Sequence, residues 1–193
     1  RRQEPLRQQA LEQQVAMFAT LDEVLEDPQV DAIVIATPHP SHLEITQKAA
    51  AAGKHILAEK PMGVTPSDAD GMISAAKSSG VKLGVLFNNR FRPEAIKAKQ
   101  LIQEGAIGAI NRVSMSSVML RSQDYYDRLE WRGRWDEEGG GVLINQGIHA
   151  IDMMQWLTGM PTSVFGHLST HRHKVEVEDY ATAVMQYEGG GHG

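Results

Sequence analysis

Three polar triplets each close an apolar run of this chain: Thr37-Pro38-His39 with His42 just beyond, Glu59-Lys60-Pro61, and Asn88-Asn89-Arg90. Lys60 is the sharpest of these residues. A lysine at the end of an apolar strand, held between Glu59 and Pro61, has little freedom to swing into solvent. Partial burial lowers a lysine's proton affinity, so Lys60 suits proton handling or the orienting of a hydroxyl. The plain alternative is a surface lysine at a turn. A second constellation is Asn145, His149 and Asp152, at i, i+4 and i+7, which share one face of a helix. Its neighbours Leu143, Ile144, Ile148, Ile151, Met154 and Leu157 are apolar, and a polar stripe on a buried helix must be bonded internally or put to use. In use, His149 takes a proton from a substrate hydroxyl, Asp152 orients the imidazole and Asn145 bonds the substrate. Otherwise Asn145 caps the helix while His149 and Asp152 bond each other in the core.

The elements that must position these residues alternate. A polar helix with a narrow apolar stripe covers residues 1–17. Apolar strands at 31–38, 54–61 and 81–90 are separated by helices at 41–53 and 65–80. The first of these helices opens on a capping-box pattern, Ser41 to Glu44; the second has Thr65 as N-cap and Pro66 at its first position. Continuous apolar strands between helices imply βαβ units, hence a parallel α/β sheet covered on both faces. In such a sheet ligands sit outside the carboxyl ends of the strands, which places the three polar triplets along one rim. After residue 90 the rhythm changes. A helix at 93–104, a long strand at 110–120, an aromatic and charged loop at 121–141, a helix at 145–158 and strands at 162–172 and 177–187 describe an α+β unit. The expected organisation is therefore residues 1–90 as one domain and 91–193 as a second.

Composition narrows the function classes. The 193 residues are 41% hydrophobic and carry a formal charge of −5, ordinary for a globular protein and unfavourable for a nucleic-acid surface. There is no cysteine, which excludes disulfides, thiolate metal sites and a cysteine nucleophile. The longest apolar runs have five residues, far below the roughly 18 of a membrane span. The expectation is a cytoplasmic protein with a small-molecule partner, binding neither nucleic acid nor membrane. Gly139-Gly140-Gly141 lacks the strand before it that a phosphate-binding turn requires, and fits a close backbone approach at a helix entry instead. His167, His171 and His173 alternate along the expected strand without a carboxylate between them, so no metal is expected there. Tyr125, Tyr126, Trp131 and Trp135 either cover a pocket or pack a domain junction.

The segments ATPHPSHLEITQKAAAAGKHILAEKP (36–61), NNRFRPEAIKAKQLIQEGAIGAI (88–110) and GGGVLINQGIHAIDMMQWLTG (139–159) closely resemble the Gfo/Idh/MocA family of NAD(P)-dependent oxidoreductases. The resemblance covers essentially the whole chain. It implies a dinucleotide-binding Rossmann domain followed by an α+β domain built on a large, open, mainly antiparallel sheet. It further implies NAD or NADP as cofactor, and hydride transfer to or from a sugar- or polyol-like hydroxyl. By position Lys60 and His149 correspond to catalytic residues, with Lys60, Arg90, Asn145 and His149 toward the substrate. Thr37, Pro38, His39, His42, Glu59, Lys60 and Arg90 correspond to cofactor contacts. Asn145 stands where several relatives have Asp, and an amide cannot hold a carboxylate's charge. The family also pairs its second-domain sheets, implying a homodimer or homotetramer.

The family's opening strand, G-x-G-x-x-G turn and helix are missing, since no glycine precedes Gly53. The chain therefore resembles the middle of a longer enzyme. Two other activities fit the same residues: a non-catalytic dinucleotide sensor or assembly protein, and redox-neutral glycoside cleavage or epimerisation with tightly held NAD. Substrate identity and the choice between NAD and NADP depend on residues other than these.

Overall fold

The computed structural model describes residues 3–193. The first two residues of the helix expected at 1–17 lie outside the described residues. The helix itself, α1, spans Gln3–Gln13. A second helix, α2 (Leu21–Glu26), follows. Thr20 caps it by accepting from the Glu23 N–H at 3.2 Å, while the Glu23 carboxylate reaches back to the Ala19 N–H at 2.7 Å. The sequence reading missed this helix, although Thr20 and Glu23 carry a capping-box spacing.

The alternation that follows is as expected: β1 (Ala32–Ile35), α3 (His42–Ala51), β2 (His55–Ala58), α4 (Pro66–Ser78) and β3 (Leu83–Val85). The strands form a parallel sheet in the order β1-β2-β3, with Ile35 opposite Ala58 and Ala58 opposite Val85. Thr65 and Asp68 make the reciprocal capping box at the start of α4. The box expected from Ser41 and Glu44 does not form. Ser41 Oγ donates to the Pro38 carbonyl at 2.7 Å and Glu44 pairs with Lys48, because a 3-10 turn at His39–Ser41 runs directly into α3.

Among the described residues, helices cover one face of this sheet. Successive right-handed crossovers that step in one direction stay on one side, so α3 and α4 share a face. Ile33, Ile35, Ile56 and Ala58 are buried there with Ala49, Ala50 and Met72. Val34 and Leu57, pointing the other way, are 64% and 37% exposed.

The second half contains α5 (Pro93–Gln103), a short α6 (Gln123–Asp127) inside the aromatic loop, α7 (Ile148–Thr158), and the antiparallel pair β4 (Ser163–Ser169) and β5 (Tyr180–Gln186). Its sheet is small where the sequence implied a large one. The strand expected at 110–120 is not formed. A strand needs a laddered partner along its length, and among the described residues only 111–113 meet one, at His192. Strand β4 ends at Ser169, so His171 and His173 leave it and the three histidines do not share a face. His171 bonds Ser169 Oγ, while His173 pairs with Asp179 at 2.8 Å. Among the described residues no group of three metal-ligating side chains converges.

Candidate active site

The parallel register carries the three polar triplets to one edge of the sheet, and α7 is packed against that edge. Lys60, just past β2, donates from Nζ to the backbone carbonyl of Asn145 at 3.2 Å. That carbonyl lies one turn before His149. Beyond β3, the Phe87 ring meets the His149 imidazole edge-on, with centroids 6.3 Å apart. The ends of β2 and β3 and the start of α7 thus converge on His149.

Both ionisable groups at this junction have lowered proton affinities. Lys60 is half-buried. Desolvation lowers its proton affinity, and the nearby Glu59 and Glu138 carboxylates restore part of it. His149 is lowered first by desolvation and then by the charge of Lys60, against smaller opposing effects of Asp152 and Glu59. The Nδ1 atom of His149 is buried and has no hydrogen-bond partner. A buried polar atom left unbonded is uncommon in a folded protein and marks a place where something else binds or reacts. His149 also borders a cavity of about 580 Å³, with Gln146 and Asn89 among its polar lining and Met119, Met153 and Leu157 among its apolar lining. A second cavity, of about 490 Å³ between residues 126–134 and 174–176, touches neither Lys60 nor His149.

Several expected site residues are engaged elsewhere. Asp152 does not orient His149. Its carboxylate takes a two-pronged bond from Arg90, with Nε at 2.8 Å from Oδ2 and the terminal nitrogen on Oδ1. Arg90 stacks as well on Phe87 and Trp156. A guanidinium held by a carboxylate and two rings is a clamp between the end of β3 and α7, with the Arg90 side chain still 34% exposed. The Asn145 side chain is already bonded within the chain. Residues Leu143–Gly147 form a π-helical turn, closed by the Gly147 N–H on the Val142 carbonyl at 2.6 Å. From this turn the Asn145 amide donates to Glu138 and the Tyr125 hydroxyl.

Along the β1 rim, His42 is fully buried. Its Nε2 lies 2.9 Å from the Thr37 carbonyl, and its Nδ1 lies 3.1 and 3.3 Å from those of Pro61 and Met62. It joins the ends of β1 and β2 and has no surface to offer a cofactor. His39, also buried, donates from Nδ1 to the Glu138 carbonyl at 3.2 Å and stands edge-on to Trp131; burial lowers its proton affinity. Trp131 thereby packs the junction. Thr37 hydroxyl-bonds Ser41, Pro38 is exposed, and Glu59 accepts from the Lys60 backbone N–H. Thr37, Pro38, Glu59 and Lys60 remain at least partly exposed along the rim.

Two residues escaped the sequence reading, Glu138 and Glu178. The buried Glu178 carboxylate accepts from the N–H groups of Gly141 and Leu143 at 2.9 and 3.0 Å, anchoring the entry to the π-turn. The triple glycine makes that approach: a Cβ on Gly141 would sit 1.8 Å from the Glu178 carbonyl oxygen, and one on Gly139 2.4 Å from that of Val64. Glu138 sat in an acidic run, Asp136-Glu137-Glu138, that looks like a solvated turn; Glu178 had no flanking motif.

Comparison with known proteins agrees with this layout. Residues 1–87 match the family model described as the oxidoreductase family, NAD-binding Rossmann fold. Residues 95–193 match the GFO/IDH/MocA C-terminal domain. Scyllo-inositol 2-dehydrogenase (NADP(+)) of Bacillus subtilis is 33% identical over 86% of the chain and 46% of its own length. Levoglucosan dehydrogenase of Pseudarthrobacter phenanthrenivorans is 37% identical over 76% of the chain and 38% of its own length. The chain thus spans about half the length, or less, of these curated relatives. Among solved structures, the WlbA dehydrogenase from Bordetella pertussis in complex with NADH and UDP-GlcNAcA superposes with a TM-score of 0.91 at 32% identity, covering 100% of this chain and 55% of that one.

Proposed function

Because the chain belongs to the Gfo/Idh/MocA family of oxidoreductases, we propose that the protein transfers a hydride between a nicotinamide cofactor and a hydroxyl of a sugar- or polyol-like substrate. The observation that carries this reading is the pairing of a half-buried Lys60 with an imidazole whose buried Nδ1 has no partner. The residues present fit a nicotinamide dinucleotide. The rim at Thr37, Pro38, Glu59 and Lys60 lies at the carboxyl ends of parallel strands, and His149 keeps a polar atom unused beside it. When bound, NAD or NADP supplies the acceptor or donor of the hydride, and the protein supplies position and proton transfer.

Lys60, held by the Asn145 carbonyl, keeps two further N–H donors with which to orient a substrate hydroxyl. His149, with its proton affinity lowered by desolvation and by the neighbouring ammonium, is neutral near pH 7 and accepts the proton that leaves that hydroxyl. The Arg90–Asp152 clamp keeps α7 and its imidazole seated against the end of β3. The exposed side chains of β4 and β5, Phe165 and Val184 among them, fit an interface between copies, a dimer or tetramer through this sheet. Light scattering on the intact protein tests that assignment, and a monomer would remove it. No helix among the described residues is long and apolar enough to cross a membrane.

The activity is tested by incubating the full-length protein with NAD or NADP and a panel of polyols, aldoses and sugar acids, following reduction of the nicotinamide. Reduction with at least one substrate, and with one cofactor preferred, is the expected result. Tight cofactor binding with no reduction across the panel would favour a sensor.

A further inference from the structure

Lys60 is faced by charged or titratable groups from four places: Glu59 on its own loop, His39 on the turn after β1, His149 on α7, and Glu138 just ahead of the triple glycine. Glu138 is the enclosed one, at 1% exposure. Each of its carboxylate oxygens accepts an N–H, Oε2 from Gly133 at 2.6 Å and Oε1 from the Asn145 side chain. Desolvation raises the Glu138 carboxyl, while the two N–H donors oppose it and suit the ionised form, because a carboxylic acid would have to turn its own proton toward one of them. No cation lies within ion-pair distance of Glu138 among the described residues. Burying a charge without a contact partner is destabilising unless hydrogen bonds and a nearby countercharge compensate. The Asn145 residue whose amide Glu138 holds gives its backbone carbonyl to the Lys60 ammonium. His39 completes the ring by donating to the Glu138 backbone carbonyl.

We propose that Glu138 is a positioning residue for the Lys60–His149 pair: its carboxylate locks Asn145, whose carbonyl holds the Lys60 ammonium, and it supplies the negative charge that an amide at position 145 lacks. Glu138 acts through Asn145 and touches neither substrate nor cofactor. Removing its charge leaves Lys60 to desolvation and Glu59 alone, so the ammonium gives up its proton at lower pH. For turnover the inference rests on the dehydrogenase reading, but the Lys60 titration is measurable without turnover.

The test is an NMR titration of isotope-labelled Lys60 in the full-length protein, in the wild type, Glu138→Gln, and the double variant Glu138→Gln/Asn145→Asp. In the single variant Lys60 is expected to titrate lower by at least about half a pH unit. The double variant moves the charge one partner along and reverses the hydrogen bond, the new amide donating to the new carboxylate. It is expected to return Lys60 to its wild-type titration. The pH dependence of kcat/KM follows the same order: its falling limb for alcohol oxidation, where the Lys60 ammonium is lost, moves to lower pH in the single variant and back in the double. A role confined to packing would lower the melting temperature and leave Lys60 where it was. An unmoved titration in Glu138→Gln, or a double variant displaced as far as the single, overturns the proposal. Should the single variant fail to fold, the double is measured alone; a wild-type Lys60 titration supports the proposal and a displaced one overturns it. If the titration moves as expected but the wild type oxidises nothing, the dehydrogenase reading fails while Glu138 keeps its place.

Discussion

The rim after β1 and the start of α7 both present histidines at the end of a parallel strand, yet the structure uses them oppositely. His42 lies against backbone carbonyls on both sides of its ring, and His39 against one. His149 keeps a buried nitrogen with no partner. An imidazole bonded to carbonyls from two strands is a strut that fixes a loop. An imidazole left unbonded beside a half-buried ammonium is poised for a ligand. The difference lies in the partners of each ring, not in burial, for His42 is the more buried of the two.

If that contrast holds, the largest effect of substitution falls on stability and belongs to the strut. His42→Ala leaves a cavity and strips one of the flanking carbonyls of its N–H donor, so unfolding free energy is expected to drop by about 3 kcal/mol in a denaturant titration. A loss below about 1 kcal/mol would show that His42 is not a strut. Lys60→Ala and His149→Ala are expected to do the reverse. Each lowers kcat by about a hundredfold or more while the melting temperature stays near that of the wild type. Asp179→Ala, at the base of the turn after β4, is expected to lose about 2 kcal/mol by the same denaturant titration. Burial by itself would raise this carboxyl, but the backbone N–H groups of His171 and Arg172 and the side chain of His173 outweigh it and hold it at about 2. Its native proton affinity lies below the unfolded value. The contribution is therefore fully present above about pH 4 and lost as pH falls toward 2, and the variant should lack this part of the wild-type acid dependence. The smallest effect is at the clamp. Asp152→Asn is expected to lose about 1–2 kcal/mol, discounted because Arg90 is about one-third exposed, with kcat falling less than in His149→Ala.

How much of this was legible in the chain depended on the range of the interaction. The strands β1 to β3 were readable because each is a short apolar run bounded by turn residues, and Thr65-Pro66 marked α4 for the same local reason. The placing of the three polar triplets on one rim followed from parallel strands having their carboxyl ends together, whereas the meeting of Lys60 with Asn145 at the entry to α7, 85 residues away, was implied only by the family resemblance. What was not legible is non-local. Arg90 and Asp152 are 62 residues apart, so nothing near Asp152 announced that its carboxylate was taken. The Asn145 amide is held by Tyr125, 20 residues away, and by Glu138, so its spacing from His149 did not announce its partners. The expected strand at 110–120 had the right composition, but forming a strand also requires a neighbour. The open face of the β1-β2-β3 sheet was missed because apolar runs show that residues can be buried, not that they are.

Whether Lys60 and His149 act on one proton is decided by a double-variant cycle in kcat/KM, using Lys60→Ala, His149→Ala and the two combined in the full-length protein. Groups that work as a unit are strongly non-additive, so the combined variant should be little worse than the poorer single. Losses that multiply, with the combined variant lower by the product of the two, would mean that the amine and the imidazole serve separate tasks.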